Sequence, residues 1–140
     1  MGVGMVQRQH PDPRRLAKEA ELMFRHTRAR LVQTPDGAYT WVEELVAKSG
    51  SSYTLAITYP AAFPHERPKA FIVKPRITSG PHLLADGSLC LFDDPWAVDL
   101  KCTALVIRNR AVTWMLAYEV WQRTGGEWLA PDHGTGLGSG

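Results

Sequence analysis

The chain has 140 residues, enough for one domain with a substantial core, and its 44% hydrophobic and 21% charged residues are ordinary for a globular protein in water. No apolar run is long enough to span a bilayer, and Met1–Gln9 lacks the charged-then-apolar pattern of a signal peptide. Two cysteines are too few for a secreted disulfide scaffold, which points to reduced thiols in a cytoplasm. The net charge of +2 is unevenly spread. Residues 8–30 carry seven Arg and Lys against three acids, a balance of +4, and the remainder balances at −2. A basic N-terminal segment on a mildly acidic body fits either an acidic partner or a solvated helix face.

"HPDPRRLAKEAELMFRHTRARL" reads as a helix. Asp12 is a good N-cap, Pro13 suits the first helical position, and Leu16, Ala20, Met23, Phe24, Thr27 and Leu31 form an apolar stripe. Most of the arginines fall off that stripe, so they are expected to face outward. Thr34–Gly37 (TPDG) reads as a turn, Ala38–Val46 as a strand, and "YTLAITY" as a second strand by strict alternation. "PAAFPHERPK" is a stiff proline-rich link. "AFIV" (Ala70–Val73) is a third strand, apolar on both faces and therefore expected to be well covered.

From Pro75 to Lys101 no regular period appears, and a loop of that length in a small domain is usually functional. A second long helix follows, capped by Thr103 and stopped by Gly125. Its expected buried stripe is Ala104, Ile107, Ala111, Trp114, Met115, Tyr118 and Trp121. The expected organisation is one α+β domain over residues 1–133, helices packed on an antiparallel meander, with residues 134–140 as a flexible tail.

The chemistry concentrates in "GPHLLADGSLCLF", Gly80–Phe92. Cys90 lies between Leu89 and Leu91, and burying both leucines of an extended segment would turn the sulfur toward the surface beside the ADG turn. That suits a nucleophile; a buried structural cysteine is the plain alternative. Asp93 and Asp94 would raise rather than lower a nearby thiol pKa, which speaks against a protease-like thiolate. Cys102 reads as a packing residue. His82, Cys90, Cys102 and His133 lack the paired spacing of a zinc site, so no metal is expected. The basic helix has no recognisable nucleic-acid reader motif, and neither nucleic acid nor membrane is expected as a partner.

Taken in order, "YP…FP…P", "PH…GSLCL", a tryptophan and a long helix resemble the ubiquitin-conjugating enzyme family from about Asp12 to Arg123. That family's His-Pro-Asn triplet falls on Gly80-Pro81-His82, so histidine stands where asparagine is usual. Gly87, Leu89, Cys90, Leu91 and Thr103 match; Tyr59, Pro60, Phe63, Pro64 and Pro68 resemble its proline-rich link. The loop after Cys90 is short, and "TGGEWLAPDHG" stands in place of the two C-terminal helices of eukaryotic members. The pattern is more similar to bacterial relatives from operons with an activating enzyme, a ubiquitin-like protein and a metalloprotease, which are associated with phage defence.

The resemblance implies a cytoplasmic carrier that needs no cofactor. It would take a ubiquitin-like protein from an activating enzyme as a thioester on Cys90 and pass it to an amine of a protein target. His82 would donate to the oxyanion, act as a base or brace the loop, with His133 as a second candidate. Within the family the first helix docks on the activating enzyme, a role that would fall to Arg14, Arg15 and Lys18. The alternative is a non-catalytic module of the same fold that binds a ubiquitin-like protein without being charged.

Overall fold

The computed structural model describes residues 11–128. Its elements are α1 (Pro13–His26), β1 (Arg30–Gln33), β2 (Tyr39–Val46), β3 (Ser52–Thr58), β4 (Lys69–Lys74) and α2 (Ala104–Thr124). The four strands form one antiparallel meander in chain order. This is the expected α+β fold of the ubiquitin-conjugating type, and among the described residues α2 is the last helix.

α1 starts as the sequence predicts: the Asp12 carboxylate accepts from the Arg14 N–H, and Pro13 occupies the first turn. It ends one turn early. The Thr27 N–H and hydroxyl both reach the Met23 carbonyl, at 2.9 and 2.7 Å, and Thr27 itself is extended. The chain is then released into β1, which the helical reading of residues 27–31 had absorbed. Leu31 consequently belongs to a strand, paired with Trp41. Phe24 is 63% exposed, edge-on to Trp41. Leu16, Ala20 and Met23 of the expected stripe do pack on the core, and Glu19 is buried beside them.

Two glycine turns set the meander. In Thr34–Ala38 the Gly37 N–H returns to the Thr34 carbonyl, and in Ala47–Ser51 the Gly50 N–H returns to Ala47. Both glycines hold φ near +90°, a region costly for residues with a Cβ. β2 and β3 pair Trp41 with Ile57, Glu43 with Leu55 and Leu45 with Tyr53 on the helix-covered face. Trp41, Leu55 and Ile57 are essentially fully buried there, each worth about 1.5–3 kcal/mol by burial at the scale of a large apolar side chain. β4 is an edge strand, and only Ala70 is buried while Val73 is 51% exposed. The expectation of cover on both faces is therefore corrected: Ala70 and Ile72 pack toward the core, while Val73 turns to the opposite, open face.

α2 fits its expected stripe. Ala104, Ile107, Ala111, Trp114, Met115 and Tyr118 are buried, Thr103 caps the Val106 N–H, and Gly125 ends the helix in the left-handed conformation. One residue breaks the apolar pattern, because Arg110 lies on the same buried face.

Two buried carboxylates join the layers. Glu19 accepts from the Tyr59 hydroxyl at 2.7 Å and from the Ala104 N–H at 2.8 Å, tying α1 to the residue that follows β3 and to the start of α2. Burial first, and then the Glu19 carboxylate, push the Tyr59 phenol far above its ordinary range, so it stays a donor. Glu43 takes two hydrogen bonds from the Arg108 guanidinium, at 2.9 and 3.0 Å. With the sheet and α2 so fixed, the irregular chain from Pro75 to Thr103 is pinned at both ends.

Candidate active site

The site is built on an irregular segment that borrows order from its neighbours. Gly87, at φ +89°, closes a turn in which its N–H reaches the Leu84 carbonyl and the Leu84 N–H reaches Ser88. The Asp86 carboxylate accepts from the Ser88 N–H and from Lys69 at the start of β4, both at 2.9 Å. Partial burial works against its charge, yet the Ser88 and Lys69 contacts hold the carboxyl down to about 2. Beyond the turn, Leu83 and Leu89 form a single antiparallel bridge, and the Leu89 N–H bonds the Ala70 carbonyl.

This arrangement sets the facing of Cys90. Leu89 and Leu91 are both 4% exposed, while Cys90 between them is only partly buried, as the alternation predicts. Its N–H bonds the His82 carbonyl at 2.9 Å, and the Trp114 indole N–H bonds the same carbonyl at 3.0 Å. His82 and Cys90 are thus neighbours across a backbone hydrogen bond, anchored to α2.

His82 has φ +60°, the left-handed region that costs most L-residues about 1–2 kcal/mol and in which Asn, Asp and His are enriched. The position that the resemblance aligns with asparagine is therefore one where the backbone favours a short polar side chain. The imidazole is exposed and lies 4.8 Å from the Trp128 ring, which packs edge-on to Trp114. Gly80 opens the same stretch at φ +147°, where a Cβ would sit 3.5 Å from the Trp121 ring.

Burial pushes the Cys90 thiol up from its ordinary value. The hydrogen bond with the Phe92 backbone partly offsets this, and Asp93 adds to it. The sulfur lies 3.5 Å from the Phe92 carbonyl oxygen. Such a thiol is mostly protonated at neutral pH and suits exchange between thioesters better than unaided attack on an amide. Cys102 is the buried packing residue that its position suggests, 3% exposed, with burial as the main reason its thiol is pushed up to about 11.

The other predicted residues lie elsewhere. Arg14 and Lys18 are exposed on α1. Arg15 departs from the outward display expected of it: it bonds the Leu100 carbonyl at 2.7 Å and the Cys102 carbonyl at 3.2 Å, and lies 3.4 Å from Glu19. It is a strut between α1 and the entrance to α2. His133 lies outside the described residues. Among the described residues no group of three or more His, Cys, Asp or Glu could hold a metal, and no helix is long and apolar enough to cross a membrane.

Residues 19–135 match a family model described as Type II CBASS E2 protein. The chain belongs to that family. It is a bacterial E2-like protein of antiphage operons, so the membership covers the Cys90 segment, both its leucine neighbours and all of α2. No curated protein matches the chain.

Three residues of this E2-like site escaped the sequence reading. Trp114 was read as packing only, and Phe92 was given no part in the chemistry. Arg110 was passed over although it stands in phase with Ile107 and Trp114 on an apolar stripe, a signal in itself that a guanidinium is buried for a reason.

Proposed function

We propose that this E2-like protein carries a ubiquitin-like protein as a thioester on Cys90. The observation that carries the reading is the facing of Cys90: a partly exposed thiol between two buried leucines, bonded through its backbone to the loop bearing His82, in a chain of an E2 family. In the first step the Cys90 sulfur attacks the carbonyl of a thioester on an activating enzyme, the enzyme's sulfur leaves, and the Cys90 proton passes to it. In the second step an amine of a protein target attacks, an amide forms, and Cys90 leaves and regains a proton. No oxidant or cofactor enters either step. A thiol pushed upward is a slower leaving group, which favours a loaded form that waits for its acceptor.

His82 is the proposed donor to the oxyanion of the second step. Its exposed imidazole stands on the loop bonded to Cys90. His133 is the companion candidate, five residues beyond the Trp128 that packs on His82. Arg14 and Lys18 are the proposed contacts for the activating enzyme, with Arg15 supporting the helix that presents them. A metalloprotease of the same operon would be the enzyme that removes the cargo.

The test is charging. With an activating enzyme, ATP and a ubiquitin-like protein of its operon, the chain is expected to form an adduct that thiol reductant removes. Cys90→Ala should abolish it and Cys102→Ser should leave it. An adduct of normal yield on Cys90→Ala would end the proposal.

A further inference from the structure

The segment after Cys90 rests on two arginines from different elements. Arg110 of α2 donates to the Leu91 carbonyl at 2.9 Å, and its guanidinium lies 4.3 Å from the centre of the Phe92 ring. Arg67, from the proline-rich link before β4, donates to the Asp94 carbonyl at 2.9 Å, and its guanidinium lies 3.8 Å from the same ring. Arg110 is 9% exposed, and the Arg67 Nε is buried without a hydrogen-bond partner. Among the described residues neither guanidinium has a carboxylate within ion-pair distance. Two cations converging on one ring with no carboxylate bonded to either are expensive, even with the Asp93 charge near enough to favour Arg110, and an aliphatic pair would pack Phe92 more cheaply. What the arginines supply that leucine or methionine cannot is a pair of N–H donors to main-chain oxygens of an irregular segment, with planar stacking that fixes Phe92 between them. Phe92 is also the residue whose backbone meets the Cys90 sulfur.

We propose that Arg67 and Arg110 are positioning residues for Cys90, clamping Leu91–Asp94 so that the backbone of Phe92 stays against the sulfur. As part of the mechanism this rests on the carrier reading of Cys90, although the clamp itself can be tested without it. The charged and titratable groups on the elements around Cys90 are Asp93 and Asp94 on its own segment, His82 on the preceding loop, and Arg67 and Arg110 behind Phe92, with the buried Cys102 thiol within the influence of both arginines. The sulfur's 3.5 Å approach to the Phe92 carbonyl fixes where it stands; the backbone hydrogen bond at Phe92 is the influence that lowers the thiol against burial and Asp93, so a slack segment should titrate Cys90 higher still.

The experiment is Cys90 alkylation by iodoacetamide across pH, read by peptide mapping on the full chain, with melting temperature measured in parallel. Arg67→Met and Arg110→Met should each slow alkylation near neutral pH by about fivefold, the factor that goes with one net hydrogen bond, and move the pH profile upward. Arg110→Lys, which keeps a charged donor for the Leu91 carbonyl, should recover part of the rate. Should the buried Arg110→Met fail to fold, the more exposed Arg67→Met carries the test. An unchanged or faster rate with an unshifted profile, in variants that fold, would overturn the clamp whatever the melting temperatures. Alkylation needs no cargo, so the two ideas fail separately. Met variants that alkylate normally remove the clamp alone, and a wild type that never charges removes the carrier alone.

Discussion

The two cysteines lie twelve positions apart in one irregular stretch, and the structure treats them in opposite ways. Cys102 lies at the entrance to α2, where Arg15 reaches its carbonyl, Glu19 caps the next turn and Tyr59 braces Glu19. These three contacts hold α1, the end of β3 and α2 together, and the thiol is sealed in. Cys90 has its flanks buried and its backbone fixed to His82, while the sulfur is left within reach. Rigidity is common to both regions; what differs is whether it is used to close a site or to present one.

The largest expected effect separates the thiols directly. In the native protein Cys90 should alkylate at least roughly a thousandfold faster than Cys102, which must wait for local opening. Peptide mapping after short iodoacetamide pulses checks this, and comparable rates would dissolve the distinction. Next comes the Cys102 region as a scaffold. Glu19→Ala removes the acceptor of both the Tyr59 hydroxyl and the Ala104 N–H and is expected to cost about 3–5 kcal/mol of unfolding free energy in urea. The result that would break the contrast is a loss below about 1 kcal/mol, the value of an exposed pair.

A smaller effect tests the Cys90 region as chemistry. His82→Asn should keep the left-handed backbone and a side-chain donor, and should discharge a preformed thioester to an amine at close to the wild-type rate. His82→Gly keeps only the backbone freedom and should lose about a hundredfold, the usual cost of one oxyanion donor. Glycine discharging as fast as histidine would make His82 a brace and nothing more. Smallest is the electrostatic effect on α1. Arg14→Glu with Lys18→Glu should slow charging by several-fold at low salt, with a weaker salt dependence and unchanged discharge. Arg15 is left intact because its loss would disturb the Cys102 region as well. Charging rates that match wild type at every ionic strength would make this face a solvated one.

Much of this was legible in the residues. Alternation gave β3, the TPDG and KSGSS turns bracketed β2, the capping residues gave both helix starts, and two leucines around a cysteine gave the facing of Cys90, because each depends on local geometry. β1 was missed because "RLVQ" continues a helical spacing; only Thr27, a β-branched residue that bonds back to Met23, stops the helix there. The inward turn of Arg15 and the burial of Glu19 depend on partners 85 positions away and leave no local trace. Arg110 did leave one, as a charge in phase with an apolar stripe, and it leads to the segment behind Cys90.

The central claim is that Cys90 is the atom that carries cargo. The measurement closest to it is mass spectrometry of the wild-type chain after one round of charging with the activating enzyme, ATP and ubiquitin-like protein of its operon, with both thiols present. The account predicts a single acyl adduct that maps to Cys90, disappears with thiol reductant and leaves Cys102 unmodified. An adduct that maps to a lysine or to Cys102, or charging that survives Cys90→Ala, would contradict it.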